Sequence, residues 1–288
     1  MKEFECIPFT FLGMKNNLKN AKTVIVQAPY DGTVFYKDGQ RHGPREIIDA
    51  SRHMELYDAE FGCDVCESAP VYTMDELVLS KESPKKAVER VGEVVDEVLK
   101  ERKFPLVLGG EHSVSAGAVS ACAKKFKKNF SVLQIDAHGD LRDAYEGTKY
   151  SHACAMRRAR EACGNIVQAG VRSMSGEEAE WIKKERIEKY IFGSEFEESE
   201  VLERIENENV YVTFDLDGFD PSIMPAVGTP EPGGISWKQA TSLLRKVFER
   251  KNVIGADVVE LCPVIGDTAS AFLAAKLCYK MIGWKFLL

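Results

Sequence analysis

Residues 131–140 read S-V-L-Q-I-D-A-H-G-D, a largely apolar run that is followed by three ionisable side chains. The run predicts a buried strand, and Asp136, His138 and Asp140 occupy alternate positions where that strand should end. If the strand geometry continues, alternate side chains point to the same face, so two carboxylates and one imidazole converge. Burial of such groups is unfavourable unless hydrogen bonds, water or a metal ion satisfy them. This stretch therefore predicts a core strand with a candidate metal site at its end.

Short β-branched segments alternate with longer helical segments along the rest of the chain. The strand candidates cover residues 23–28, 70–73, 106–108, 130–136, 166–170, 190–192, 210–216 and 253–260. The helix candidates cover residues 43–57, 84–103, 114–127, 152–162, 175–186, 198–206 and 237–250, and a final helix begins near Thr268. This alternation implies crossover connections and a mostly parallel sheet, so the predicted fold class is α/β. Because no repeat or linker interrupts the pattern, residues 1–288 are predicted to form one domain.

The composition is that of a globular protein with a substantial core, since 44% of the 288 residues are hydrophobic and 29% are charged. No apolar run approaches the ~20 residues that span a bilayer, and the N-terminal segment lacks the features of a signal peptide. We therefore expect a cytoplasmic protein that does not bind membranes. The net charge of −7 argues against nucleic acid as a partner and is compatible with a small cationic substrate.

The eight cysteines are scattered, mostly in apolar or helical context, which favours reduced thiols over a disulfide framework. Cys63 and Cys66 form a single C-x-x-C pair with no second pair elsewhere in the chain. The lack of a second pair disfavours a zinc or redox role, and the sequence leaves the role of these two residues open.

Three further predicted strands run into polar motifs. The strand over 106–108 leads into G-G-E-H-S at 109–113, and the strand over 210–216 runs into T-F-D-L-D-G-F-D at 213–220. The last strand ends in D-V-V-E at 257–260. In open parallel sheets, ligands bind outside the carboxyl ends of the strands. We therefore expect four strand ends to place acids and imidazoles along one edge of the sheet.

The predicted cluster contains four carboxylates and two imidazoles, which belong to His112, Asp136, His138, Asp140, Asp215 and Asp217. Oxygen ligands mixed with imidazole suit Mn²⁺ better than calcium or a metal that prefers thiolates. Four carboxylates around one dication would leave excess negative charge, whereas two dications that share bridging carboxylates balance it. Such ion pairs lie ~3.5–4 Å apart and convert a bridging water into hydroxide at neutral pH.

Each motif alone has a simpler interpretation. An isolated Asp-x-Asp at a strand end is more often a helix cap, a turn or a surface pair than a metal site. In the same way, His112 beside Ser113 could cap the following helix. Three such motifs at three strand ends, with three of the five histidines (His112, His138 and His152) in or just after them, favour a metal centre.

The three motifs G-G-E-H-S, D-A-H-G-D and T-F-D-L-D-G-F-D-P-S, in this order, resemble the three signatures of the ureohydrolases, the arginase–agmatinase family. Residues 220–234 continue the third signature, and A-P-Y-D at 28–31 with R-H-G-P-R at 41–45 resembles the family's opening segment. The resemblance extends from about residue 25 to the C-terminal helix. It implies a three-layer α/β/α fold around an eight-stranded parallel sheet, two Mn²⁺ ions per subunit, and hydrolysis of a guanidinium to urea and an amine.

The resemblance also implies an assignment of the metal ligands. One manganese would be held by His112, Asp136, Asp140 and Asp215, and the other by His138, Asp136, Asp215 and Asp217, with Asp136 and Asp215 bridging. The intervening residues Ala137 and Gly139 are small, which would let the backbone approach the metals. Asp220, which precedes Pro221, is interpreted as a turn residue rather than a ligand.

A catalytic arrangement follows from the same resemblance. The bridging hydroxide would attack the guanidinium carbon, and its proton could pass through Asp140 to the amine, which leaves well only when protonated. Glu260 lies where the family places a carboxylate that binds the guanidinium, and a bidentate pair would orient the substrate. His152, twelve residues after Asp140, matches the family's proton-shuttle histidine, and Thr229 matches a threonine whose hydroxyl approaches the substrate. Simpler alternatives are a turn carboxylate for Glu260 and a helix N-terminal residue for His152.

The segment L-R-D-A-Y-E-G-T-K-Y at 141–150 bears on which guanidine is cleaved. Arginases bind the amino-acid head group partly with a Ser/Asn-rich segment before the shuttle histidine, and this chain lacks that segment. Asp143 and Glu146 offer negative charge instead, which suits a distal ammonium better than a carboxylate. We therefore predict an agmatinase that forms urea and putrescine in polyamine biosynthesis. N1-aminopropylagmatine, guanidinobutyrate and arginine are the alternative substrates.

Proteins of other classes fit the motifs less well. A binuclear metallophosphoesterase usually contains a Gly-Asn-His-Asp/Glu element and further histidines, which this chain lacks. A zinc deacetylase of related fold would have a single-metal site with fewer acids. A non-catalytic metal-binding regulator is the third alternative, which inactivity of the metal-loaded protein would favour. The family resemblance also implies a homo-oligomer, either a trimer or a hexamer.

Overall fold

A parallel eight-stranded sheet forms the centre of the protein, in a computed structural model that describes residues 6–288. Residues 1–5, the start of the segment in which we predicted no signal peptide, lie outside the described residues. The strands of the sheet are β1 (Thr23–Ala28), β4 (Val71–Thr73), β5 (Phe104–Gly109), β6 (Ser131–Ile135), β7 (Asn165–Ala169), β8 (Ile191–Phe192), β9 (Asn209–Asp215) and β10 (Asn252–Val259). Two further strands, β2 (Tyr57–Asp58) and β3 (Cys63–Asp64), pair in a separate antiparallel hairpin.

Each strand of the large sheet coincides with a strand candidate from the sequence, and its pairings are all parallel. The spatial order of the strands is β4-β1-β5-β10-β9-β6-β7-β8. The four strands that lead into polar motifs, β5, β10, β9 and β6, are therefore consecutive neighbours in the middle of the sheet. Because they are parallel, their carboxyl ends meet at one edge, where sheets of this kind bind ligands.

Helices cover both faces of the sheet. The α-helices within the described residues are α1 (Gly43–Ser51), α2 (Val65–Ser68), α3 (Pro84–Lys100), α4 (Ser113–Phe126), α5 (Ala155–Ala162), α6 (Gly176–Glu185), α7 (Glu198–Arg204), α8 (Trp237–Arg250) and α9 (Ala269–Leu287). In β1, Ile25 belongs to a core shared with α1, α8 and α9, whereas Val24 and Val26 belong to a core shared with α3 and α4. Successive strand residues point to opposite faces. The predicted three-layer α/β/α fold is therefore confirmed.

Local sequence signals locate the helix boundaries well. Helix α8 has the predicted bounds and begins with a capping box, in which Ser236 Oγ accepts from Gln239 N and the Gln239 side chain accepts from Ser236 N. Helix α9 begins one residue after Thr268, close to the predicted start. None of the helices in the described part of the chain is long and apolar enough to cross a membrane.

Helix α1 is shorter than the helix predicted over 43–57. Ser51 Oγ donates to Ile48 O at 2.6 Å and accepts from Leu12 N at 2.8 Å. Such side-chain contacts compete with continuation of a helix, so α1 ends at Ser51. The hairpin of β2 and β3 then follows, which we did not predict because two-residue strands carry too little periodicity to recognise.

The C-x-x-C pair lies at the end of this hairpin. Cys63 is in β3 and Cys66 is in the short helix α2, and both are free thiols. Burial raises the pKa of Cys66, which disfavours a reactive thiolate. Among residues 6–288, neither cysteine belongs to a side-chain group with the spacing of a metal site. The role of the pair stays open.

Candidate active site at the sheet edge

Six ionisable side chains meet at the carboxyl ends of the four central strands. They are the six residues predicted to bind metal. His112 follows β5, Asp136, His138 and Asp140 follow β6, and Asp215 and Asp217 lie at the end of β9. All of them are buried except His138, which is partly exposed. The parallel sheet thus brings three separate motifs into one cluster.

The loop after β6 differs from the strand alternation that we predicted. Strand β6 ends at Ile135, and Asp136 Oδ1 accepts a hydrogen bond from His138 N at 2.6 Å. Asp140 has a φ of +53°, in the left-handed region that few residues other than glycine adopt. An Asx turn closed by the Asp136 side chain, followed by the left-handed residue Asp140, therefore directs the three side chains to the cluster. The alternation prediction was right about convergence but wrong about the backbone that produces it.

The candidate ligands form two groups, and the first of them surrounds Nδ1 of His112. Asp136 Oδ2 and Asp140 Oδ2 each lie 2.9 Å from this nitrogen, and Asp215 Oδ2 lies 3.2 Å from it. The nitrogen is buried and makes no hydrogen bond, although three carboxylate oxygens surround it. His112, Asp136 and Asp215 have the mutual spacing of a metal site.

The second group of ligands surrounds Nδ1 of His138. This nitrogen lies 3.0 Å from Asp217 Oδ2 and 3.5 Å from Asp136 Oδ1, and the three residues also have the spacing of a metal site. Asp136 therefore presents one oxygen to each histidine, as expected of a bridging ligand. Asp215 Oδ1 instead accepts from Asp217 N at 2.9 Å, so bridging by Asp215 stays a prediction.

The residues present fit the pair of manganese ions that the motifs imply. A buried imidazole nitrogen without a hydrogen bond, close to three carboxylate oxygens, is unfavourable unless a cation or a proton lies between them. Carboxylates with imidazoles are also the donors that suit Mn²⁺. The two groups of ligands share Asp136, which matches two ions that are close neighbours.

Mutual repulsion of the carboxylates also favours a cation at this site. Burial, together with the charge of Asp136, raises the pKa of Asp140 to about 7. Burial, together with the charges of Asp217 and Glu111, raises the pKa of Glu260 to about 8. A nearby positive charge stabilises the ionised form of a carboxyl group. A divalent cation would therefore lower both pKa values and stabilise the cluster.

A cavity of about 300 Å³ opens onto both groups of ligands. Glu260, His152 and Thr229, the other residues predicted for catalysis or substrate binding from their motifs, all line this cavity. Glu260 follows β10 with a φ of +69°, and its Oε1 accepts from His112 N at 2.7 Å. Thr229 Oγ1 donates to Asp217 Oδ2 at 3.3 Å. The predicted catalytic residues and five of the six predicted metal ligands, all but the fully buried Asp136, thus line one cavity.

His152 is held in this cavity by Thr33, which is itself held by the buried acid Glu111. The sequence analysis assigned a role to neither residue. The backbone N of His152 donates to Thr33 Oγ1 at 3.1 Å, and its Nδ1 lies 3.3 Å from the same oxygen. The Thr33 hydroxyl donates to Glu111 Oε1 at 2.6 Å, and Thr33 N donates to Glu111 Oε2 at 2.7 Å. Burial lowers the pKa of His152 to about 4, so the imidazole is neutral at pH 7.

Comparison with known proteins identifies the family. The model of the arginase family matches residues 21–283. The chain belongs to the arginase family. It is 39% identical to N(1)-aminopropylagmatine ureohydrolase of Synechocystis sp., over 92% of this chain and 89% of that protein. It is 34% identical to agmatinase of Bacillus anthracis, over 95% of this chain and 96% of that protein.

Solved structures agree with this assignment. The agmatine ureohydrolase of Thermoplasma volcanium is 31% identical and superposes with a TM-score of 0.88, over 98% of this chain and 95% of that chain. The ureohydrolase family and the enzyme class that we predicted from the three motifs are therefore confirmed. The relatives differ in the substrates that their names state, so the family alone does not decide the substrate.

Aromatic and charged side chains also line the active-site cavity of this arginase-family protein. Its lining includes Phe35, Tyr36, Tyr145, Met174, Lys37, Arg142 and Glu178. The ring of Tyr145 makes edge contacts with Phe35 and with His152, at centroid distances of 6.2 and 5.8 Å. Arg142 Nε lies 3.9 Å from Glu178 Oε2, and its guanidinium stacks 4.8 Å from the centre of the Tyr145 ring. Ring contacts therefore connect the exposed Phe35 through Tyr145 to His152.

Asp143 and Glu146, which we predicted to bind a distal ammonium, do not line this cavity. Asp143 instead pairs with Arg158 at 2.9 Å and with Lys149 at 3.2 Å. Glu146 lies at a turn with a φ of +47° and is exposed. Asp143 thus neutralises neighbouring cations, and the structure does not bring either acid to the substrate space.

Two buried glutamines that the sequence analysis overlooked support the loop after β6. Gln134 Nε2 donates to Asp136 Oδ2 at 2.5 Å, and Gln168 Nε2 donates to Gly139 O at 2.7 Å. The two side chains also hydrogen-bond to each other, because Gln134 in β6 and Gln168 in β7 are in register. A glutamine inside each of two largely apolar strands was the available signal, since buried polar groups need partners.

Gly139 lies beside the carboxylate of Glu178. A Cβ at this position would lie 3.3 Å from Glu178 Oε1 and 3.8 Å from Met174 Cβ. Glu178 Oε1 accepts from Leu141 N at 2.8 Å. The missing side chain therefore makes room for the Glu178 carboxylate, which holds the loop against α6. The approach of this backbone to a metal ion stays a prediction.

Proposed function

We propose that this protein hydrolyses the guanidinium group of agmatine to urea and putrescine. The observation that carries the proposal is the convergence of two carboxylate–imidazole groups with Glu260 and His152 around one cavity. Relatives that are 34% and 39% identical over nearly the whole chain are named agmatinase and N(1)-aminopropylagmatine ureohydrolase. These names support a guanidine on an amine chain as the substrate class.

Two Mn²⁺ ions are the proposed cofactors. One would be held by His112, Asp136, Asp140 and Asp215, and the other by His138, Asp136, Asp215 and Asp217. When bound, such an ion pair lowers the pKa of water and so supplies hydroxide at neutral pH. The protein contributes the shared ligand Asp136, whose two oxygens point to different histidines.

Glu260 would bind and orient the substrate guanidinium. Its Oε1 is engaged by His112 N, which leaves Oε2 to accept from the substrate. A charge-assisted pair between a carboxylate and a guanidinium is strong and directional, so Glu260 would fix the plane of the substrate.

Asp140 and His152 would move the protons of the reaction. Asp140 lines the cavity, with its Oδ2 2.9 Å from His112 Nδ1, and would accept the proton of the attacking water. His152 is neutral at pH 7, so it can take up a proton and deliver it to the departing amine. General acid–base help of this kind contributes about 10²–10⁴-fold to a rate.

The apolar side chains that line the cavity favour a substrate with an apolar chain between two polar ends. Phe35, Tyr145 and Met174 offer surface to methylene groups. The second candidate, N1-aminopropylagmatine, has a longer chain of the same kind. The 39% identity to the Synechocystis enzyme is the observation that supports this second candidate beside agmatine. Guanidinobutyrate and arginine carry a carboxylate, and the names of the relatives do not support them.

Urea release from a panel of guanidines tests the proposed function. The Mn²⁺-loaded protein is assayed with agmatine, N1-aminopropylagmatine, guanidinobutyrate and arginine, and kcat/KM is compared. We expect the highest value for agmatine. A clear preference for N1-aminopropylagmatine would establish the second candidate, and a preference for arginine would contradict both. No urea from any guanidine, with two Mn²⁺ ions bound per chain, would favour a non-catalytic metal-binding protein of this fold.

The cytoplasmic location and the trimeric or hexameric assembly are also part of this proposal. They rest on the sequence features and on the family resemblance. Sedimentation velocity of the purified protein would measure the assembly.

A further inference from the structure

Asp257 is a buried carboxylate that takes no part in the proposed reaction. It lies in β10, is fully buried, and does not line the cavity. Both of its oxygens accept hydrogen bonds from β9, since Thr213 Oγ1 donates to Oδ1 at 2.6 Å and Tyr211 Oη donates to Oδ2 at 2.8 Å. An apolar residue of similar size is often at least as stable as a buried charge. Packing alone therefore does not account for an acid at this position.

Thr213 connects Asp257 to the metal ligand His112. The oxygen of the Thr213 hydroxyl lies 2.9 Å from Nε2 of His112. A hydroxyl has one hydrogen to donate, and the 2.6 Å contact assigns this hydrogen to Asp257 rather than to Ser115 Oγ, which lies 3.3 Å away. The Thr213 oxygen therefore acts as an acceptor toward His112, which places the ring proton at Nε2.

A proton at Nε2 leaves Nδ1 of His112 with a lone pair. Nδ1 is the atom that lies 2.9 Å from oxygens of Asp136 and Asp140. Metal ions bind neutral imidazole through such a lone pair, and the hydrogen bond made by the other ring nitrogen sets the tautomer and the ring orientation. The carboxylate, the hydroxyl and the imidazole thus form a chain that ends at the metal cluster.

We propose that Asp257 is a positioning residue that acts through Thr213 to present Nδ1 of His112 to a divalent cation. This inference rests on the metal centre of the proposed function. Its consequence is that Asp257 controls the affinity of the ion on the His112 side, although it touches neither that ion nor the substrate. The ion on the His138 side would be held by none of these three residues.

Manganese binding by variants tests the inference. Metal-free protein is titrated with Mn²⁺ alone, and the bound manganese per chain is measured by elemental analysis at defined free Mn²⁺. Thr213→Val removes the hydroxyl. Asp257→Leu removes the acceptor of the Thr213 hydroxyl, which is then free to donate to His112 and shift the ring proton to Nδ1. Each variant should weaken one of the two ions by about 10- to 100-fold and leave the other unchanged.

Two matched variants separate this role from a general structural one. Thr213→Ser keeps the hydroxyl, and Tyr211→Phe removes the other hydrogen bond to Asp257, so both should bind the two ions as the wild type does. Circular dichroism verifies that each variant is folded, and the isosteric Thr213→Val decides if Asp257→Leu is not. Unchanged affinity in Thr213→Val, or an equal loss in Thr213→Ser or Tyr211→Phe, would contradict the inference. A wild type that binds no Mn²⁺ would instead contradict the proposed metal centre.

Discussion

Among single residues, Asp215 shows how closely ligand geometry and backbone structure are connected. Its Oδ2 lies 3.2 Å from His112 Nδ1, while its Oδ1 accepts from Asp217 N and so fixes the turn that carries the second group of ligands. The carboxylate is buried and has few other partners. The loss of its charge should therefore affect metal binding more than folding.

Asp215→Asn should abolish activity and lower metal content. The amide keeps the shape of the side chain but provides one weaker oxygen donor, so we expect manganese affinity to fall by at least about 100-fold, more than the loss of an outer partner costs. Elemental analysis and the urea assay measure the two effects. Asp220→Asn is the matched control, because Asp220 Oδ2 accepts from Gly233 N and Gly234 N at 2.9 Å, as expected of a turn residue. Full activity of Asp215→Asn would overturn its assignment as a ligand.

Thr33→Val should lower kcat while metal content stays at the wild-type level. The substitution removes the hydroxyl that joins His152 to Glu111. A general acid–base group contributes about 10²–10⁴-fold to the rate, and part of this contribution depends on its correct placement. We therefore expect kcat to fall by at least about tenfold. Steady-state kinetics should show a larger change in kcat than in KM. Thr33→Ser keeps the hydroxyl and should retain most of the activity, and an equal loss in this variant would argue against the hydrogen bond.

Among the secondary-structure elements, the loop from β7 to α6 supports the second group of ligands through Arg172. Its guanidinium donates to Asp217 O and Glu231 O, both at 2.8 Å, and to Gly170 O at 3.0 Å. One side chain thus holds the turn after β9 against the segment that contains Thr229. The rigid fork of five N–H groups in arginine makes such multiple contacts possible.

Arg172→Lys should destabilise the protein although it keeps the charge. A lysine ammonium cannot reach all of these carbonyl oxygens, and carbonyl groups that lose a charged donor are costly, so we expect a loss of about 1.5–3 kcal/mol. Urea unfolding measures the change in the free energy of unfolding. Arg41→Lys is the control, because the Arg41 side chain that pairs with Asp31 is itself half-exposed, and it should change stability by less than about 1 kcal/mol. Equal effects of the two substitutions would mean that the Arg172 contacts contribute little.

At the level of the whole molecule, Glu60 joins parts of the chain that are far apart in sequence. It lies between β2 and β3 and accepts from Arg245 Nε of α8 at 3.0 Å, and from Lys280 Nζ and Trp284 Nε1 of α9 at 2.9 Å. Burial would raise the pKa of Glu60, but the hydrogen bonds from Lys280, Trp284 and Arg245 outweigh it and lower the pKa below 4.5. The carboxylate form therefore stabilises the fold.

The contribution of Glu60 to stability should depend on pH. Because its pKa is lower in the folded than in the unfolded state, the stabilisation is complete above about pH 4.5 and is lost as pH falls through the folded pKa. At pH 7, Glu60→Gln should cost about 1 kcal/mol or less, since the side chain is partly exposed. Urea unfolding at several pH values should show this difference shrink below pH 4.5. A difference that does not vary with pH would show that the charge of Glu60 contributes nothing.

Much of the site could be anticipated because its residues stand in recognisable motifs at strand ends. The six predicted ligands lie together, and Glu260, His152 and Thr229 line the same cavity. Asp143 and Glu146 were predicted to bind substrate from their charge alone. Charge does not reveal that Asp143 already forms ion pairs with Arg158 and Lys149. Substrate selectivity therefore could not be predicted from the loop sequence.

The sequence by itself determined the eight parallel strands, most helix boundaries and the family, because hydrophobic periodicity, caps and motifs are local properties of the chain. Only the tertiary structure decided which carboxylate oxygen lies beside which histidine nitrogen in the site. It also revealed the supporting residues, since Thr33 meets Glu111, and Thr213 meets both Asp257 and His112, only after distant strands and loops have packed. These contacts cannot be recognised in the sequence, because each joins side chains that lie far apart along the chain and at no regular spacing.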